Sequence, residues 1–123
     1  MTKVITTEEL KKKIDEGGDF HLIDVLSPNS YEGRHVPKAK NIPNGPDFLE
    51  RFEMEIGAPK DAEIIVYCSS ATCMASVQAA GTLEKAGYTN VAHYKDGIAG
   101  WQNAGYKFSS LEESASSGES EAA

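Results

Sequence analysis

Two cysteines, Cys68 and Cys73, fall in one run of small residues, Cys68-Ser69-Ser70-Ala71-Thr72-Cys73-Met74-Ala75, directly after the most apolar stretch of the chain, Glu63-Ile64-Ile65-Val66-Tyr67. In an open parallel sheet, ligands bind outside the carboxyl ends of strands, where loops feed helix N-termini. A thiol there meets converging backbone N–H groups and the positive end of a helix dipole, both of which favour thiolate over thiol. Cys68 is therefore placed as a nucleophile. The bland alternative is a buried strand-end cysteine, since unpaired Cys is among the most buried residue types. Zinc is a poor reading, because two cysteines without a nearby histidine do not fill four ligand positions.

The elements that must position this thiol follow from patterning. Thr6-Thr7-Glu8-Glu9 sets a Thr three residues before a Glu, a capping-box start, and Leu10 and Ile14 follow at helical spacing until Gly17-Gly18. Residues 20–25 read as a strand, and Ser27-Pro28-Asn29-Ser30 opens a turn or short helix through Tyr31, with Pro where its missing N–H costs nothing. A short strand at 39–42 precedes the loop Pro43-Asn44-Gly45-Pro46. Phe48, Leu49, Phe52 and Ile56 predict a helix over 47–56 capped by Asp47. Residues 63–67 are the candidate central buried strand. Ser76 is predicted to cap a helix reaching Ala86 before Gly87; a strand at 90–94 and a short helix after Asp96-Gly97, ending near Trp101, close the order. Short β-branched runs alternating with helices mark an α/β fold with a mostly parallel sheet.

At 123 residues the chain allows one domain, and 40% hydrophobic with 25% charged residues is enough to close a modest core. Residues 109–123 hold six serines, four glutamates, no Lys or Arg and one large apolar residue, Leu111. They read as a solvated, disordered acidic tail. Four of the seven net negative charges belong to it, leaving -3 for a domain over 1–108. No basic stripe supports nucleic-acid binding, and Lys11-Lys12-Lys13 reads as a solvated helix face. No apolar stretch approaches a membrane span, and Met1-Thr2-Lys3-Val4-Ile5-Thr6 lacks the apolar run of a signal peptide, so the default compartment is the cytoplasm. There, two cysteines are reactive or buried more often than permanently paired. No Walker-type or Gly-x-Gly-x-x-Gly loop is present, so neither metal nor nucleotide cofactor is expected.

Taken in order, these motifs resemble a rhodanese-type sulfurtransferase domain over nearly all of residues 4–108. Leu22-Ile23-Asp24-Val25, Tyr31 and His35-Val36-Pro37-Lys38-Ala39-Lys40-Asn41-Ile42-Pro43 are similar to the family's first signature. Ile65-Val66-Tyr67-Cys68 resembles the strand that ends in the catalytic cysteine; Ala86-Gly87-Tyr88-Thr89-Asn90-Val91, Asp96-Gly97-Ile98 and Trp101 resemble the closing signature. The resemblance implies a central parallel sheet with helices on both faces and transfer of a sulfane sulfur through a Cys68 persulfide. The donor would be thiosulfate, a polysulfide or a persulfide, and the acceptor cyanide or a thiol, with a protein at either end also open. Backbone N–H groups of Ser69, Ser70, Ala71, Thr72, Cys73, Met74 and Ala75 would ring the anionic persulfide. A non-catalytic persulfide carrier is one alternative. A redox protein is another, in which Cys73 attacks the Cys68 persulfide, releases sulfide and leaves a Cys68–Cys73 disulfide; against it, Cys73 is a small loop residue packed under the helix start.

The chain departs from the family pattern in places that bear on substrate. Seven residues separate Cys68 from Ser76, where the common pattern has five, and Ala75 stands where many members carry Arg or Lys. Leu26 replaces an Arg, Arg34 and Lys38 replace glycines, and Asp96 replaces the first of a Gly-Gly pair. A cysteine phosphatase or arsenate reductase needs an Arg clamp that this loop lacks. Thiosulfate also gains from a cationic loop, so the expectation is a poor thiosulfate enzyme served by polysulfide or a protein-bound persulfide. Arg34 and Lys38, near the His-Val-Pro turn, are the candidates for supplying positive charge. Asp24 and His35 are expected to support the site, Asp24 through backbone N–H groups and His35 by fixing its turn. His93 and Trp101 read as framework, Trp101 half-buried under the closing helix.

Overall fold

The computed structural model describes residues 3–17, 19–69 and 74–108. The predicted acidic tail, residues 109–123, lies outside them. The elements run β1 (Lys3–Ile5), α1 (Thr7–Glu16), β2 (His21–Asp24), α2 (Pro28–Gly33), β3 (Lys40–Asn41), α3 (Phe48–Glu55), β4 (Ile64–Tyr67), α4 (Ala75–Lys85), β5 (Val91–Tyr94) and α5 (Gly97–Asn103). Local chemistry sets many of these bounds. Thr6 and Glu9 close a reciprocal capping box on α1, and Gly17 ends it in the left-handed region at φ 71°. Ser27 caps α2 with Pro28 in its first turn.

The five strands form one sheet in the order β1-β5-β4-β2-β3, and every pair is parallel. With β4 at its centre and paired on both sides, Ile64, Ile65, Val66 and Tyr67 are fully buried. Period-two alternation sorts the side chains to the two faces. Ile64, Val66 and Cys68 face α3 and α4, packing with Ile23, Val91, Phe52, Ala79, Ala80 and Leu83. Ile65 and Tyr67 face α1 and α5, packing with Leu22, Ala92, Tyr94, Leu10, Ile98 and Trp101. Helices thus cover both faces of the central parallel sheet, as the resemblance implied.

The structure departs from the sequence reading at four points. The N-terminal residues add an edge strand, β1, which the short Lys3-Val4-Ile5 run was too brief to signal. Ser76 is not the cap of α4: Met74 holds that position, and Ser76 lies one residue inside the helix with its side chain turned into the protein. Trp101 is fully buried, not half-buried, held between Tyr94 and Tyr106 with its Nε1–H donating to the Lys107 carbonyl at 2.8 Å. Asp47 does precede α3, but its side chain makes no capping bond.

Candidate active site

Cys68 is the first residue beyond β4, and it is 1% exposed. Parity along the strand turns its side chain to the face covered by α4, whose first turn carries Ser76. The Ser76 Oγ lies 3.3 Å from Cys68 Sγ and 2.7 Å from His93 Nε2, all three groups being buried. His93 reaches this position because β5 pairs in register with β4, setting His93 opposite Val66, on the same face as Val91. Burial, and then the nearby Lys95 charge, hold the His93 imidazole below the usual histidine range, which favours its neutral form. Three side chains from two strands and a helix therefore form one hydrogen-bonded line ending on the thiol, beside the positive end of an 11-residue helix.

The strand end is clamped from the opposite side by α5. The Ile98 N–H donates to the Cys68 carbonyl at 3.1 Å and the Ala99 N–H to the Ser69 carbonyl at 2.8 Å. Gly97 makes this approach feasible: its φ is +61°, and a β-carbon there would sit 2.3 Å from the Cys68 carbonyl oxygen. The late glycine of the closing signature thus has a physical cause.

Asp24 and Tyr67 knit the neighbouring loops together. Fully buried Asp24 accepts the Leu26 N–H at 2.8 Å through Oδ1 and the Tyr67 hydroxyl at 2.8 Å through Oδ2. The same hydroxyl accepts the Val36 N–H at 3.0 Å. Burial raises the Asp24 carboxyl above the usual range, while the bonds from Leu26 and Tyr67 work against that rise. Tyr67 is held well above its ordinary range by burial and then by the Asp24 charge, so it remains a hydroxyl donor. His35 donates through Nδ1 to the Tyr31 carbonyl at 2.7 Å and stacks on the Tyr31 ring at 3.8 Å, which fixes its turn.

Next to Ser69 a cleft of about 420 Å³ opens. Leu26 and Ile98 supply apolar wall, Asn29 and Ser30 polar wall, and Arg34 a cation at its edge. The Arg34 guanidinium bonds Gln102 Oε1 at 2.8 Å and lies 5.1 Å over the Phe108 ring, which aims it across α5. Lys38 is elsewhere: it borders a separate, smaller cavity with Phe20, His21 and Ile56. Of the predicted loop residues, Ser69, Met74 and Ala75 are described, Ser69 and Met74 being exposed. Ser70, Ala71, Thr72 and Cys73 lie outside the described residues.

His93 and Tyr67 were the two site residues that sequence reasoning missed. From sequence alone His93 reads as framework; in the fold its Nε2 lies 2.7 Å from Ser76 Oγ. One available signal was parity: a histidine two residues after Val91 in an otherwise apolar strand must share the face of Val91, where it needs a polar partner.

A parallel α/β sheet with a buried cysteine ending its central strand, beside a helix N-terminus, defines an α/β domain whose candidate site lies at a strand end. The family model for the rhodanese-like domain matches residues 6–104, and the chain belongs to that family. The probable adenylyltransferase/sulfurtransferase MoeZ of Mycobacterium tuberculosis is 31% identical over 97 residues, 79% of this chain. The chain spans only 24% of that protein's length. The putative sulfur carrier protein YrkF of Bacillus subtilis is 30% identical over 97 residues, covering 79% of this chain and 49% of that protein. Among solved structures, a rhodanese-like domain from Anabaena superposes with a TM-score of 0.77 at 25% identity, covering 91% of this chain and 83% of that one. Among the described residues, no helix is long and apolar enough to cross a membrane.

Proposed function

We propose that this domain moves sulfane sulfur on Cys68, taking it from a polysulfide or persulfide donor and passing it to a thiol or to cyanide. The observation that carries the reading is the placement of the Cys68 Sγ at the carboxyl end of the central strand, 3.3 Å from a hydroxyl in the first turn of α4. The Cys68 thiolate attacks the donor's outer sulfur; a Cys68–S bond forms, the donor's S–S bond breaks, and its electron pair leaves on the inner sulfur. An acceptor thiolate or cyanide then attacks the outer sulfur of the persulfide, and Cys68 departs as thiolate. The relatives named sulfurtransferase and sulfur carrier support this reading.

The cleft beside Ser69 is the place for the donor. Its apolar wall of Leu26 and Ile98 suits a sulfur chain or the carbon skeleton of an organic persulfide, and Arg34 suits a terminal anion. The thiocyanate-forming assay tests the reading with polysulfide, an organic persulfide and thiosulfate compared at equal concentration. Turnover with polysulfide or persulfide that exceeds thiosulfate and is lost in Cys68→Ser is expected. Equal turnover by wild type and Cys68→Ser would overturn it. A persulfide carrier is the second reading, favoured by the relative named a putative sulfur carrier; Cys68 loading with no release to cyanide or small thiols selects it.

A further inference from the structure

The line Cys68–Ser76–His93 joins α4 to the end of β4 and to β5, and it places two polar side chains in a face otherwise packed with Ile64, Val66, Val91 and Ala79. Burying a serine and a histidine among such residues costs free energy unless they serve each other, and here the hydroxyl bridges the imidazole to the thiol. We propose that Ser76 and His93 form a proton relay that deprotonates Cys68. The inference rests on Cys68 being the working thiol, as argued above.

The proton balance is closed within the three side chains. In the resting state the Cys68 S–H donates to Ser76 Oγ, and the Ser76 O–H donates to His93 Nε2. The thiol proton passes to Ser76 Oγ as the serine's own proton passes to Nε2, leaving a thiolate, an intact serine and an imidazolium. After transfer the donor directions are reversed: Nε2–H donates to Oγ, and Oγ–H donates to the sulfur anion. The relay therefore supplies a hydrogen bond to the thiolate and, after loading, to the inner sulfur of the persulfide. It gives this site a base of its own, at a helix start where Ala75 brings no cation. Among the described residues, the groups facing His93 come from α4, β4, β1 and its own strand. On α4 it meets Ser76, and on its own strand it feels Lys95, whose charge, like burial, weighs against the imidazolium, so the protonated form arises only as the partner of the Cys68 thiolate, whose charge offsets both. From β4 it pairs across from Val66, with Cys68 beyond, and from β1 it pairs with Val4.

The test reads the proton, not the sulfur. Iodoacetamide alkylation of Cys68 is followed from pH 5 to 9, roughly the span over which thiols and imidazoles titrate, and quantified on Cys68 itself by tandem mass spectrometry. Wild type, Ser76→Ala and His93→Gln are compared. Glutamine keeps a hydrogen-bonding partner for Ser76 but cannot take a proton, so it separates packing from relay. Both variants are expected to show a Cys68 profile displaced to higher pH and alkylation at pH 7 slowed about tenfold per unit of displacement. The double variant is expected to be no slower than either single one, because the groups act as one unit. Profiles of Ser76→Ala and His93→Gln that superimpose on wild type would overturn the relay. Because alkylation needs no sulfur donor, that failure is distinguishable from failure of sulfur transfer, which the thiocyanate assay reads separately.

Discussion

Replacing Gly97 with alanine probes the joint between fold and site most severely. A β-carbon at this position would lie 2.3 Å from the Cys68 carbonyl oxygen and 3.0 Å from the carbonyl carbons of Cys68 and Ser69. All three are backbone atoms, so no flexible side chain can yield, and restoring ordinary contact requires the strand end and α5 to separate by roughly 1 Å. Two costs follow. An L-residue in the left-handed region costs about 1–2 kcal/mol, and φ at this residue is +61°. Separation also weakens the bonds from Ile98 and Ala99 N–H to the Cys68 and Ser69 carbonyls, each worth about 0.5–1.5 kcal/mol net. Together these predict a loss of about 2–5 kcal/mol, or roughly 10–30 °C in Tm for a domain of this size. Urea unfolding followed by circular dichroism measures it. Gly81→Ala is the control, since nothing lies within 4 Å of its new β-carbon and it sits inside α4; it is expected to gain about 0.5–1 kcal/mol. If Gly97→Ala unfolds within about 0.5 kcal/mol of wild type, the account of α5 clamping the strand end is wrong.

Tyr67→Phe leaves the Val36 N–H and Asp24 Oδ2 without their shared partner, and a loss of about 2–4 kcal/mol by urea unfolding is expected. Its pH dependence carries a further sign. The native Asp24 pKa is raised by burial above the unfolded 3.8, so between those two values the native state binds more protons and stability falls as pH rises. Removing the hydroxyl that favours the carboxylate steepens this fall, so the deficit of Tyr67→Phe against wild type grows across that window; a deficit constant with pH would contradict the assignment. Lys38 has φ 75° without being glycine, and Lys38→Gly is expected to gain about 0.5 kcal/mol by the same unfolding measurement. Arg34→Ala is expected to lower kcat/KM about fivefold for anionic sulfane donors, the scale of one exposed charge interaction, and to leave Tm nearly unchanged; an equal loss for an uncharged organic trisulfide would remove Arg34 from substrate recognition.

Much of the fold was legible because local chemistry and burial agree. Ile64-Ile65-Val66-Tyr67 is apolar at every position because β4 is buried on both faces, and Thr6 with Glu9 marks the start of α1 through a bond between residues three apart. Cys68 was legible for the same reason, as the residue ending that strand. What escaped were partnerships made across the sheet. His93 becomes part of the site only once β5 is known to pair with β4 in a register that brings it to the α4 side. Ser76 carries the composition of a cap, but the helix begins one residue earlier and turns its hydroxyl inward. Tyr67 reads as apolar filling until Asp24 and Val36, 43 and 31 residues away, are placed around its hydroxyl. Arg34 and Lys38 looked equivalent in sequence, and only the fold sends Arg34 to the cleft beside Ser69 and Lys38 to another cavity.

The central claim is that Cys68 holds the transferred sulfur. Incubation of the full chain with polysulfide, removal of excess donor and site-resolved mass spectrometry test it directly. The expected result is a gain of one sulfur atom on Cys68 that cyanide removes as thiocyanate, restoring the original mass. A chain that gains no sulfur, or gains it equally in Cys68→Ser, would contradict the account.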